Sequence, residues 1–223
     1  MSTLILLSEE EEKVFDAIQH YIEHNRVFNY EKIVPYISNT FSRTDININE
    51  KGIKSILESL IQKKIIIPGS KLTKKIVLHN PNRKLIYDFI KRNPGYYFHR
   101  LIKTLKLPNH VITWHLDVLL KFGYIIKAFI DHHEVYFHPN VDQSDYHALY
   151  ALSKTKTQKI LSFMYRNRKP VTKTAIAKKL GIHYNTVLKY IKMLEELDLV
   201  REEKLAHKTI YHLSQRFFDF LIK

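Results

Sequence analysis

Residues 172–197 read TKTAIAKKLGIHYNTVLKYIKMLEEL, and their punctuation decides the architecture. Thr172 stands where an N-cap belongs, and Ile176 and Leu180 mark the buried side of a short helix. Gly181 follows at once, where a left-handed residue closes a helix. A longer helix starts near His183 and buries Val187, Ile191, Leu194 and Leu197 at helical spacing. Asp198 ends it. Two helices joined through a glycine corner are the core of a helix-turn-helix.

Upstream, Ile160, Leu161, Met164 and Tyr165 predict a helix over 155–167, broken by Asn167–Pro170. Downstream, Leu199–Lys204 and Lys208–Leu213 read as two strands about a short turn. Three helices and a β-hairpin make a winged helix. A shift of 75 residues lays 83–138 on 158–213 without a gap. Identity is low, but Leu101/Ile176, Leu107/Ile182, Ile112/Val187, Leu116/Ile191 and Ile125/Val200 keep one apolar pattern. The second copy reads as helices near 82–92, 97–105 and 109–122, with strands 124–130 and 134–138 about the turn Asp131–Glu134. A looser copy precedes it, at a shift of 59. It comprises helix 8–25, opened by the capping box Ser8…Glu11, helices near 30–41 and 49–63, and a Pro68-Gly69-Ser70 turn between Ile65–Ile67 and Lys75–Leu78.

The expected fold is mainly α with small β-hairpin wings, as three consecutive winged helix-turn-helix units. Residues 1–80 form a divergent first unit, 81–140 the second, 141–154 a connecting packed helix and 155–213 the third. Residues 214–223 form a helical tail bearing Phe217, Phe218, Phe220 and Leu221, either packed on the last wing or forming a homodimer seam.

The 223 residues hold 36 Lys and Arg against 22 Asp and Glu, a net charge of +14, and no cysteine. Without cysteine there is no disulfide, thiolate zinc site, iron–sulfur cluster or cysteine nucleophile. The five glycines lie at least 17 residues apart, which excludes a Walker A loop and a GxGxxG turn. No run approaches the ~18 apolar residues of a membrane helix, and Leu4–Leu7 is too short for a signal sequence. The expected location is cytoplasmic, associated with the nucleoid.

Residues 176–182 and 185–197 resemble the winged helix-turn-helix transcriptional regulators, especially the ArsR-like and MarR-like tandem proteins common in archaea. In the second copy His115-Leu116-Asp117-Val118-Leu119-Leu120-Lys121-Phe122-Gly123 is similar to the end of an ArsR-type recognition helix. The resemblance implies the fold strongly and DNA binding less strongly, because winged helices also serve as protein-interaction modules. The second copy departs from the pattern at Lys106, which stands where the third has Gly181.

Charge distribution carries the functional expectation. Residues 1–80 are near neutral, at +1, whereas 146–194 contain 11 bases, Arg168 among them, and no acid. That window holds the helices of the third unit, so the expected partner is double-stranded DNA. With Val187, Ile191 and Leu194 inward, Tyr184, Asn185, Leu188, Lys189 and Lys192 face out, beside Thr186. Asn185 suits adenine and Lys189 guanine O6/N7. Thr172, Lys173 and Thr174 at a helix N-terminus, with Lys178, suit phosphates. Lys204, His207 and Lys208 lie in the wing. In the second copy His110, Thr113 and Trp114 face outward. Trp114 is open to three readings: packing on a neighbouring unit, DNA contact or a subunit interface.

His20/His24, at i,i+4 with Glu23 beside them, and Asp131-His132-His133-Glu134 are the best metal candidates; in the latter His138 falls one residue late for HExxH, and both are expected to be surface histidines. No metal, no cofactor and no catalytic constellation is expected. The principal reading is a sequence-specific DNA-binding transcriptional regulator, with residues 1–80 open to a protein partner. The alternatives are a winged-helix protein-interaction scaffold, polymerase-associated or ESCRT-II-like, and an RNA-binding winged helix.

Overall fold

The computed structural model describes residues 7–24, 27–44, 46–167 and 169–222. Leu4–Leu6, Asn25, Arg168 and Lys223, which figured in the expectations above, lie outside them. The chain is mainly helical, with small antiparallel strand pairs. It divides into two compact units, one of Met1–Asp88 and Leu107–Ile125, the other of Phe89–Lys106 and Ile126–Lys223. This partition cuts through the second sequence repeat.

In the first unit, α1 (Glu9–His24), α2 (Tyr30–Phe41) and α3 (Glu50–Gln62) bury Val14, Ile18, Ile33, Ile37, Ile53 and Leu57 in one core. The expected capping box is formed: the Ser8 amide donates to Glu11 Oε2 at 3.0 Å and the Glu11 amide to Ser8 Oγ at 3.2 Å. Glu11 also accepts from Ser59 Oγ at 2.7 Å and Lys63 Nζ at 2.5 Å, which ties α1 to α3. Those contacts, the Lys63 bond first, hold its carboxyl down at about 2.

The first copy lacks the expected hairpin. A single Ile66–Thr73 bridge forms, and the segment after the turn, Lys75–Leu78 in the sequence reading, is mostly the helical turn α4 (Lys74–Val77). Gly69 N–H donates to the Phe28 carbonyl and Phe28 N–H to the Ser70 carbonyl, so the loop spends its backbone groups on the α1–α2 connection.

α5 (Pro81–Arg92) follows, then β1 (Tyr96–Tyr97), α6 (Phe98–Leu105) and α7 (Asn109–Lys121). β1 was not anticipated, since two residues display no alternation. In the second unit β1, β2 (Ile126–Ile130) and β3 (His133–Phe137) form an antiparallel sheet of order β1-β3-β2. Its connection is a two-residue turn with Asp131 and His132 both at positive φ, 46° and 63°. α8 (Tyr146–Ser153), the expected packed connector, lays Tyr146 parallel on Phe137 with centroids 4.0 Å apart. Gly95, at φ 89°, is obligatory: a Cβ there would stand 2.5 Å from the Leu149 backbone.

The same unit continues as α9 (Thr155–Asn167), α10 (Lys173–Leu180), α11 (Tyr184–Glu196), β4 (Val200–Leu205), β5 (Lys208–Leu213) and α12 (Gln215–Ile222). Ile160, Leu161, Met164, Ile176, Val187, Ile191 and Leu194 share one core. A Val171–Tyr211 bridge roots the wing on the start of α10. The tail is a packed helix: Phe217 is buried and Arg216 reaches Asp145 Oδ1 at 3.2 Å and the Leu197 carbonyl at 3.2 Å.

One corner recurs in all three copies. Lys64, Gly123 and Asp198, each just past the third helix, take positive φ of 54°, 68° and 53°. The following amides, of Ile65, Tyr124 and Leu199, donate back to Leu60, Leu119 and Leu194 at 2.8–2.9 Å. This is the Schellman closure.

Candidate nucleic-acid interface

The third-copy residues assemble at the helix-turn-helix of the second unit. Thr172 caps α10 by accepting the Ala175 amide at 3.1 Å. The amides of Lys173 and Thr174 then lack an acceptor within the helix, the arrangement that favours an anion at a helix start. Gly181 closes α10 at φ 62°, ψ 34°, and His183 caps α11 by accepting the Asn185 amide at 3.2 Å. The faces of α11 fall as the spacing predicts, except that Leu197 is the C-cap and only half-buried. Val187, Ile191 and Leu194 are fully buried, while Tyr184, Asn185, Leu188, Lys189 and Lys192 are exposed and Thr186 is half-buried.

The cations around this stripe differ in freedom. Lys178, Lys189 and Lys208 are exposed and make no ion pair among the described residues. Lys192 lies 4.0 Å from Glu196, and Lys204 3.4 Å from Glu202. Lys173 stands 4.9 Å over the Tyr211 ring, and the Tyr211 hydroxyl donates to Glu202 at 3.0 Å. Burial pushes that hydroxyl's pKa up, so it remains a donor at neutral pH. The start of α10 is thereby joined to the wing through Tyr211, a link with no local signal in the sequence. The wing is less basic than its lysines suggest, because Glu202 and Glu203 lie on β4 and Glu203 pairs with His212 at 2.6 Å. Lys154, counted in the acid-free window, pairs with Asp131 at 3.1 Å and contributes nothing to a free cationic face.

His110, Thr113 and Trp114 are exposed on α7, in the first unit, and are not brought together with the α11 stripe within one unit. Thr113 Oγ1 is spent on the Asn109 carbonyl at 3.0 Å. Trp114 is 55% exposed and carries the Arg83 guanidinium 5.1 Å from its ring centre. Arg83 is itself buried, donates to the Val77 carbonyl at 2.7 Å, and leaves Nε unpartnered. His115 beside it is buried, and desolvation, with Arg83 second, lowers its pKa.

The histidine pairs do not build a metal centre. His24 Nδ1 donates to the His20 carbonyl at 2.8 Å, and His133 stacks on Tyr97 at 4.7 Å. Among the described residues no group of three His, Asp or Glu side chains converges. No described helix is long and apolar enough to cross a membrane.

Residues 156–200, covering α9, α10 and α11, match the family described as "HTH domain". The chain is also 30% identical over 173 residues to an uncharacterized HTH-type transcriptional regulator of Methanocaldococcus jannaschii. The alignment covers 77% of this chain and 44% of that relative, so the chain spans less than half of the relative's length. Fold, capping geometry and the family match agree on a helix-turn-helix domain over α9, α10 and α11.

Proposed function

We propose that the chain is a DNA-binding transcriptional regulator that seats α11 in the major groove of duplex DNA. The observation that carries this is the exposed stripe Tyr184, Asn185, Leu188 and Lys189, opposite a fully buried stripe, in a domain whose exposed Lys178 and Lys208 make no ion pair among the described residues. In this reading Asn185 and Lys189 read base edges, and the first-turn amides of α10 with Thr172, Lys173 and Thr174 hold a phosphate. Lys178, Lys192, Lys204 and Lys208 add backbone contacts. The three-copy organisation is part of the proposal, supported by the recurring corner at Lys64, Gly123 and Asp198. The similarity to an HTH-type transcriptional regulator supports the regulatory role.

The test is fluorescence anisotropy against a random-sequence duplex across a salt series, followed by selection from a random library. A steep salt slope with one enriched motif supports the reading, with Asn185→Ala costing about 1–3 kcal/mol and relaxing that motif. Absence of binding at low salt overturns it. A protein-interaction scaffold is the second reading, favoured by Trp114 and Phe129, 55% and 72% exposed. It predicts that Trp114→Ala and Phe129→Ala abolish capture of a protein partner and leave DNA affinity unchanged.

A further inference from the structure

α9 and α11 bury their apolar stripes in the same core, so their outer faces point away from it in different directions. The outer face of α9 shares no residue with the α11 stripe. That face is built to one pattern. Thr155, Gln158, Lys159, Ser162 and Arg166 recur at helical spacing and are all exposed. With Lys179 at the end of α10 they line a cleft of about 740 Å³ that contains no carboxylate. Lys159, Arg166 and Lys179 make no ion pair among the described residues. Arg100 of α6 adds a fourth positive charge at one end, donating through one guanidinium nitrogen to Thr155 Oγ1 and through the other to Gln158 Oε1 at 3.0 Å. Its stack on Tyr96, 4.9 Å from the ring centre, holds it there.

The shape selects the ligand. From residue 155 to residue 167 the stripe runs about 18 Å at ~1.5 Å per residue. Along that length a duplex presents on the order of ten backbone charges, whereas a small anion would meet one or two of the cations. A protein partner would need aromatic or apolar anchors. The cleft offers Phe163 and Leu180, and both are partly buried against the core.

We propose that α9 and the end of α10 form a second duplex-DNA surface, so that one chain holds two DNA segments at once. The proposal shares with the α11 reading only the identity of the partner.

The experiment mixes the full chain with a donor-labelled and an acceptor-labelled short duplex. Energy transfer is read together with the mass of the complex by analytical ultracentrifugation. Energy transfer from one chain carrying two duplexes is the expected result. The triple variant Lys159→Ala, Arg166→Ala, Lys179→Ala should keep its melting temperature and the first duplex. It should bind the second about tenfold or more weakly, with a salt slope lower by roughly one per cation removed. One duplex per chain, or a triple variant that still bridges, overturns the second surface and leaves the α11 reading standing. Transfer that requires two chains overturns it as well. If Asn185→Ala with Lys189→Ala leaves the affinity and motif of the first duplex unchanged while the triple variant loses the second, the α11 reading falls and the α9 surface stands. No binding to either duplex overturns both, and displacement of the second duplex by duplex RNA alone overturns the choice of DNA.

Discussion

Lys106 and Gly181 sit at equivalent ends of α6 and α10 and share one backbone conformation, φ 54°, ψ 29° and φ 62°, ψ 34°. Each N–H closes its helix in the same way, onto Ile102 and Ala177. The missing glycine does not alter the corner; it makes the corner strained. A left-handed non-glycine residue costs about 1–2 kcal/mol. Lys106→Gly should therefore raise stability by roughly 1 kcal/mol, and Gly181→Ala should lower it by a similar amount. Urea unfolding of both variants checks the pair, and a loss of stability in Lys106→Gly would contradict the strain account.

Gly95→Ala should be far more damaging than Gly181→Ala. The new methyl would meet the Leu149 backbone at 2.5 Å on an element that cannot rotate away, whereas nothing lies within 4 Å of Gly181. A loss of roughly 2 kcal/mol or more is expected, with α8 and the three-stranded sheet loosened together. Hydrogen exchange at Tyr136 and Tyr150 measures it.

His115 gives the first unit a pH dependence. Burial, then the Arg83 charge, lowers its folded pKa below the ordinary 6.5. As pH falls below 6.5 the unfolded chain takes up a proton that the folded chain refuses, so stability is lost toward acid. His115→Leu should flatten the denaturation midpoint between about pH 7 and pH 5. Arg83→Met should raise the His115 pKa, as read by its ring NMR shifts.

Lys192 is held by Glu196 at 4.0 Å on an exposed helix face. Glu196→Gln should cost at most about 0.5 kcal/mol of stability. If α11 faces DNA, it should also steepen the salt dependence of binding, by up to about one in slope. An unchanged slope would place Lys192 away from the phosphates.

Much of the third copy was legible because each boundary carries a residue with one strong local preference. Thr172 caps, Gly181 turns left-handed, and the Val187–Ile191–Leu194 stripe can face only inward. The first copy was harder. Ile76 and Val77 look like strand residues, yet their amides close a helical turn on the Thr73 carbonyl, and the pairing of Phe28 with the 69–70 turn joins segments far apart in sequence. The same distance hid the Arg83–Trp114 stack and the Lys173–Tyr211–Glu202 link. Charge counting along the chain found the basic window but not its division between two helix faces, which depends on which sides of α9 and α11 share a core.

The two wings differ in mechanical character. The first hairpin is braced by a third strand and by Tyr150, with Ile130, Val135 and Phe137 buried in it. In the second, Val200 and Tyr211 anchor the root, and every β4 residue from Arg201 to Leu205 is exposed. The outer half of β4–β5 therefore rests on its ladder alone, with no core side chain from β4 beneath it, and local opening there should cost less than in β2–β3. Amides beyond Glu203 should exchange quickly in the free chain and slow when DNA is bound, while those of β2 and β3 stay slow throughout.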